Sequence, residues 1–167
     1  STRETEAVRS KMLKCGVSQV SGGSRTSVGG YAGYSADERP HDTEQFDVSD
    51  QRSLDEVVKW LMESGHIPSF CTACYREGRT GDRFMSLVKT GQIANICKSG
   101  QIQNCCHPNA LMTLSEYLED YASPETKEVG YKMIEQELQN IPKEKVRAIA
   151  KQNIEDIRNS NRRDFRF

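Results

Sequence analysis

Apolar positions along the chain recur mainly at the spacing of an amphipathic helix. The clearest stripe follows Ser53 and Glu56, which form a capping box, and stops before Gly65, so a helix is predicted between them. Similar patterns predict further helices over residues 1–14, between Thr80 and Gly91, over residues 111–121, after Ser123 and after Pro142. Val17–Val20 alternates apolar and polar residues, and we expect one short buried strand there.

The pattern thus predicts a strand-bearing first segment followed by a helical one. The last residues, Asn161–Phe167, are basic and aromatic. We interpret them as a partly frayed end in preference to a binding segment, because chain ends are often poorly ordered.

Composition narrows the classes of function. The 167 residues carry a formal net charge of −1, so a strong positive field for nucleic acid is not expected. No run of apolar residues is long enough for a membrane-spanning helix, and the length suits one domain. The chain opens without the apolar core of a signal peptide, so we expect an intracellular protein whose cysteines are reduced.

The cysteines are the main candidates for chemistry. Five of the six lie within 36 residues. Cys71 and Cys74 form a CxxC pair, a spacing that brings two thiolates to one metal ion or one cluster edge, and Cys97 follows after 22 residues. Three thiolates leave a coordination position open, which favours an iron–sulfur cluster. A zinc site remains an alternative, with His107 or Cys105 as fourth ligand, and so do inert buried thiols.

A near-duplication in the sequence makes the third cysteine of the motif harder to assign. Nine residues, Lys89–Cys97, are followed at once by the similar Lys98–Cys106. Two copies are too few for a repeat fold, so we interpret this as a local tandem insertion.

The cysteine motif carries a family resemblance. The run Ser69–Met85, SFCTACYREGRTGDRFM, is followed by a Gly-Gln-Ile at 91–93, by Cys-His-Pro-Asn-Ala-Leu ending at Leu111 and by Glu116–Tyr121. Together these resemble the C-terminal part of the HydG family, radical S-adenosylmethionine tyrosine lyases that mature [FeFe]-hydrogenase. Upstream, residues 1–4 and 17–26 resemble segments that such lyases share more widely.

The resemblance implies a fold and two regions. The family enzyme is a (β/α)8 barrel with a helical C-terminal extension, so this chain is expected to be mainly α. Residues 1–52 would be the end of the barrel, with its last strand and loops, and residues 53–167 the helical domain that carries an auxiliary iron–sulfur cluster.

The resemblance to the family also implies a reaction. One [4Fe-4S] cluster cleaves S-adenosylmethionine, and the radical formed splits tyrosine into p-cresol and dehydroglycine. At the auxiliary [4Fe-4S] cluster, which has an extra labile iron, dehydroglycine yields CO and cyanide for an Fe(CO)2(CN) unit bound to free cysteine. The implied partners are the remainder of the barrel and hydrogenase maturation proteins, in the cytoplasm or an anaerobic organelle.

The resemblance implies that Cys71, Cys74 and a third cysteine hold the auxiliary cluster. Cys97 keeps the family spacing and Cys106 keeps the family context, so the two are alternatives for the third ligand. A zinc-binding interaction module using Cys71, Cys74, Cys106 and His107 is the competing hypothesis.

Three upstream residues are implied in binding the substrate or S-adenosylmethionine. Arg3 would contact the substrate carboxylate in bidentate fashion, and Ser24 and Arg25 would line the mouth of the barrel. The 167 residues contain no CxxxCxxC, the motif that holds the radical-generating cluster. We therefore expect this chain to be a fragment that is inactive alone, with S-adenosylmethionine and its cluster belonging only to the full-length enzyme.

Overall fold

The computed structural model describes residues 1–26, 47–76, 81–89 and 105–167, and regular structure within these ranges is helical. The helices are α1 (Glu6–Lys14), α2 (Leu54–Glu63), α3 (Ala73–Arg76), α4 (Gly81–Lys89), α5 (Cys106–Asp120), α6 (Pro124–Gln139) and α7 (Glu144–Asn159). In these ranges no helix has both the length and the hydropathy needed to cross a bilayer. The prediction of a mainly α chain is confirmed.

Internal contacts divide the chain into two units, Ser1–Val58 and Lys59–Phe167. In the first unit, α1 begins after Thr5, whose hydroxyl accepts a hydrogen bond from Val8 N at 3.4 Å. It ends before Gly16, which has a φ of +89°, a value that glycine adopts without a steric penalty. The helix predicted over residues 1–14 is confirmed, with its start at Glu6.

The predicted buried strand at Val17–Val20 is wrong. These residues have no regular secondary structure, and Val17 is 38% exposed. An alternating segment becomes a strand only where a neighbouring strand pairs with its backbone groups, and no segment among the described residues does so. The assignment of residues 1–52 to the end of a barrel stays a prediction, and residues 27–46 lie outside the described part.

A buried ion-pair network holds the first unit together. Asp50, which is 1% exposed, accepts hydrogen bonds from the side chains of Arg9 and Arg52, the latter at 2.6 and 2.9 Å. Hydrogen bonding by Arg52, helped by Arg9, lowers the pKa of Asp50 from 3.8 to about 2. Arg9 also donates to the carbonyl of Ser21, so the network joins α1 to residue 21 and to residues 50–52.

The capping box of α2 forms as predicted. Glu56 N donates to Ser53 Oγ at 3.2 Å, and Ser53 N donates to Glu56 Oε2 at 2.6 Å. That backbone hydrogen bond lowers the pKa of Glu56. The helix ends near Gly65, at a φ of +77°.

In the second unit, α5 packs against both α6 and α7. Their buried apolar residues include Leu111, Leu114, Leu118, Ile134, Ile154 and Ile157. Gly130 of α6 lets α6 and α5 approach closely, because a Cβ at this position would lie 2.5 Å from Leu118 Cδ1.

The helix predictions in this unit hold with one shift of boundary. α6 starts at Pro124 behind Ser123, as predicted. α5 starts at Cys106, five residues before the predicted start, without a side-chain cap; Pro108 lies in its first turn, where a missing N–H is tolerated. α4 lies where a helix was predicted, but Thr80, Gly91 and most of the duplicated stretch 89–106 lie outside the described residues.

Candidate metal centre

The CxxC pair lies at α3, a single helical turn. Cys71 precedes the helix and Cys74 lies within it, and both thiols are free and partly buried. The turn is attached to α5 through Phe70, whose backbone N donates to Thr113 Oγ1 at 3.3 Å. The Phe70 ring also stacks on Tyr117, with 4.9 Å between ring centroids. The residue before the motif therefore fixes the motif to the helical bundle.

A pocket of about 80 Å³ lies beside Cys71. Its wall combines aromatic side chains with charged ones, namely Arg76, Glu116, Asp164 and Arg166. Asp164 pairs with Arg76 and lies 3.9 Å from Arg166. The space next to Cys71 is thus lined by charged groups of both signs.

The two cysteines at the start of α5 have different surroundings. Cys105 is buried, and its sulfur accepts a hydrogen bond from Asn109 Nδ2 at 3.5 Å and lies 3.9 Å from the Phe167 carbonyl oxygen. Cys106 is exposed. Cys105 is therefore engaged in packing against Asn109 and Phe167.

The described residues do not gather three metal donors into one group. Neither Cys106 nor His107 joins Cys71 and Cys74 there. His107 Nε2 instead lies 3.1 Å from Glu137 Oε2, within ion-pair range when the imidazole is protonated, although not aligned for a hydrogen bond.

The donor chemistry nevertheless fits an iron–sulfur centre. Cys71 and Cys74 provide two free, partly buried thiols at CxxC spacing, which suits soft thiolate-bound metals. A complete centre requires a further donor. Cys97, one of the two predicted alternatives for the third ligand, lies outside the described residues.

The predicted upstream site residues lie in the first unit. Arg3 is exposed, and its backbone N donates to Ser1 Oγ at 3.2 Å. Ser24 and Arg25 are partly buried. Arg25 Nη1 donates to the carbonyls of Ser24 and Gln51, both at 3.1 Å, which fixes the guanidinium beside the loop.

The interpretation of residues 161–167 as a frayed end is wrong. Arg163 forms a bidentate ion pair with Asp120 of α5, and this guanidinium lowers the pKa of Asp120. Asp164 pairs with Arg76 of α3. These partners are 43 and 88 residues away, so no local pattern could have revealed them.

Comparison with known proteins places the chain in context. A family model described as the Biotin and Thiamin Synthesis associated domain matches residues 1–67. A crystal structure of HydG, described as a maturase of the [FeFe]-hydrogenase, matches 99% of the chain at 44% identity, with a TM-score of 0.80. The chain is similar to HydG over nearly its whole length. It spans 33% of the length of that HydG chain, and the resemblance seen in the sequence is confirmed. No curated protein matches.

Proposed function

We propose that the chain is the part of a HydG-type radical S-adenosylmethionine tyrosine lyase that holds an auxiliary [4Fe-4S] cluster with a labile extra iron. The observation that carries this is the CTACYREGRTG run with a third cysteine 22 residues on, in a chain 44% identical to HydG. The free, partly buried thiols of Cys71 and Cys74 support it, because cysteine thiolates hold such clusters.

The spacing favours Cys97 over Cys106 as the third ligand. Cys97 follows Cys74 after the 22 residues expected from the resemblance, whereas Cys106 lies nine residues further on. Cys106, for its part, is followed by the Pro-Asn-Ala sequence that resembles the family. Substituting each cysteine in turn therefore distinguishes the two candidate ligands.

When bound, the cluster would supply an iron without a protein ligand, open to small molecules, because three thiolates leave one iron uncoordinated by protein. In the whole enzyme we propose that tyrosine yields p-cresol and dehydroglycine, and that dehydroglycine yields CO and cyanide for the Fe(CO)2(CN) unit of hydrogenase. This proposal rests on the resemblance to the family, as does the proposed partnership with other maturation proteins.

The upstream residues would act at the mouth of the barrel. Arg3 would bind the substrate carboxylate with its planar guanidinium, and Ser24 and Arg25 would line the opening. The hydrogen bonds from Arg25 to the Ser24 and Gln51 carbonyls would orient the loop for this role. Radical formation is assigned to the remainder of the barrel, since the CxxxCxxC motif does not occur in these 167 residues.

Substitution of single cysteines tests the ligand set. The chain is purified anaerobically, reconstituted with iron and sulfide, and assayed for bound iron, sulfide and zinc. We expect Cys97→Ser to lose iron and sulfide together while Cys106→Ser retains them. The reverse result would move the third ligand to Cys106. Colourless protein with stoichiometric zinc that His107→Ala abolishes would replace this proposal with the zinc module.

A further inference from the structure

The chain after α7 turns back across α5 in residues Arg163–Phe167, here called the clasp. Its first residue is firmly anchored. Arg163 donates to both carboxylate oxygens of Asp120, at 2.6–3.0 Å, and its Nη1 donates to the carbonyls of Ile157 and Ser160 at 3.2 and 3.1 Å. A bidentate guanidinium–carboxylate pair with further carbonyl acceptors fixes geometry more tightly than an ordinary surface ion pair.

The second residue of the clasp contacts the turn that carries the CxxC motif. Asp164 has a φ of +69°, in the left-handed region that residues with a Cβ seldom adopt. In this conformation its carboxylate pairs with Arg76, two residues after Cys74. Arg163 before it and Phe165 after it are both held by α5, so the unusual backbone is imposed by contacts on either side.

The rest of the clasp runs along α5, from Glu116 back to the first turn at Asn109. Phe165 N donates to Glu116 Oε1 at 3.1 Å, and Phe167 N donates to the buried Asn109 at 2.8 Å. The carbonyl of Phe167 lies 3.9 Å from the sulfur of Cys105. The clasp thus contacts both the turn that carries Cys71 and Cys74 and the start of α5, where Cys105 and Cys106 lie.

The CxxC turn needs such support. α3 has four residues, and a helix that short is not stable without tertiary contacts. On one side Phe70 attaches the turn to Thr113 and Tyr117. On the other side the clasp supplies the Asp164–Arg76 pair, and Phe165 forms part of the pocket wall beside Cys71.

We propose that the clasp is a positioning element that holds the Cys71–Cys74 turn against α5 in the geometry required for metal binding. The residues of the clasp are positioning residues and donate no ligand. This rests on the proposed function for the metal site itself, whereas the physical role of the clasp can be measured on the chain without metal.

Hydrogen exchange on the full chain tests the clasp, with exchange read separately for residues 69–76 and for α6. Arg163→Ala removes the anchor, and we expect exchange at 69–76 to rise roughly tenfold, since a bidentate charged hydrogen-bond pair is lost. Asp164→Asn tolerates the left-handed backbone but lacks the charge, and Arg76→Gln removes its partner. Because this pair is largely exposed, a rise of about two- to fivefold is expected for each.

Two variants serve as controls. Arg76→Lys keeps the charge and should restore slow exchange, and Lys59→Gln removes another partly exposed ion pair, with Glu125, away from the clasp. Unchanged exchange at 69–76 in Arg163→Ala, or an equal rise in α6, would overturn the proposal, since a general loss of stability would loosen both regions alike.

A second measurement separates the clasp from the proposed function. After anaerobic reconstitution, a chelator should remove iron faster from Arg163→Ala than from the unaltered chain, in the same order as the exchange rates. If the unaltered chain takes up no cluster, the proposed function fails while the exchange result still decides the clasp. If iron loss is equally fast in both proteins, the clasp does not position the metal ligands.

Discussion

Replacing Asp50 with asparagine removes one charge from a buried network and leaves two arginines behind. The folded-state pKa of Asp50 is about 2, against an ordinary 3.8. Because folding lowers this pKa, the ionised carboxylate stabilises the fold above about pH 4, and that contribution is lost as the pH falls towards 2. The difference in pKa corresponds to about 2 kcal/mol at neutral pH.

The asparagine variant should lose more than this at pH 7. Arg9 is 5% exposed and would remain buried without its partner carboxylate, so we expect the free energy of unfolding to fall by about 3 kcal/mol. The same network holds the Ser21 carbonyl, so the loop that carries Ser24 and Arg25 should loosen as well.

Urea denaturation followed by circular dichroism, with hydrogen exchange of α1 as a local readout, measures the effect. Asp47→Asn is the matched control, because Asp47 is exposed and lies three residues away. The loss of unfolding free energy caused by Asp50→Asn should become smaller as the pH is lowered from 4 towards 2, because the carboxylate of the unaltered protein also becomes protonated there. An equal loss at all pH values, or an equal loss in Asp47→Asn, would refute the role assigned to this charge.

Two further predictions concern the helical unit. Alanine normally stabilises a helix interior relative to glycine by about 1 kcal/mol, but at Gly130 its Cβ would clash with the buried Leu118. We expect Gly130→Ala to destabilise the protein by about 1 kcal/mol in thermal unfolding, and to become stabilising in a Leu118→Ala background. Ser123→Ala removes the hydroxyl that accepts from Thr126 N at 3.3 Å, and should cost about 1 kcal/mol. Restoration by Ser123→Thr, read from the same melts, would confirm that the loss comes from the cap.

The features that sequence predicted best are those whose physics is local. The capping box of α2 and the Ser123 cap of α6 depend on hydrogen bonds between residues three apart, so their residue types reveal them. The spacing of Cys71 and Cys74 is likewise local. The start of α5 was missed because neither Cys105 nor Cys106 is a capping residue, and the helix begins without a side-chain cap.

The features that sequence missed depend on distant partners. The Arg9–Asp50 pair joins residues 41 apart, and Arg163 reaches Asp120 across 43. A periodic sequence pattern does not indicate which charged residues form ion pairs with each other. The strand at Val17–Val20 failed for a related reason, because alternation describes one strand whereas a sheet requires a second segment to pair with it.

The ratio of iron to acid-labile sulfide in the anaerobically reconstituted chain tests the proposed cluster site without reference to any catalytic activity. We predict about four of each per chain, as a [4Fe-4S] cluster requires, with an excess of iron if the labile iron is retained. Both should be lost together in Cys71→Ser and in Cys74→Ser, and both should persist in Cys15→Ser, whose thiol is exposed in the other unit. Iron and sulfide that remain bound in Cys71→Ser and Cys74→Ser, or that never bind the unaltered chain, would contradict an iron–sulfur site at this motif.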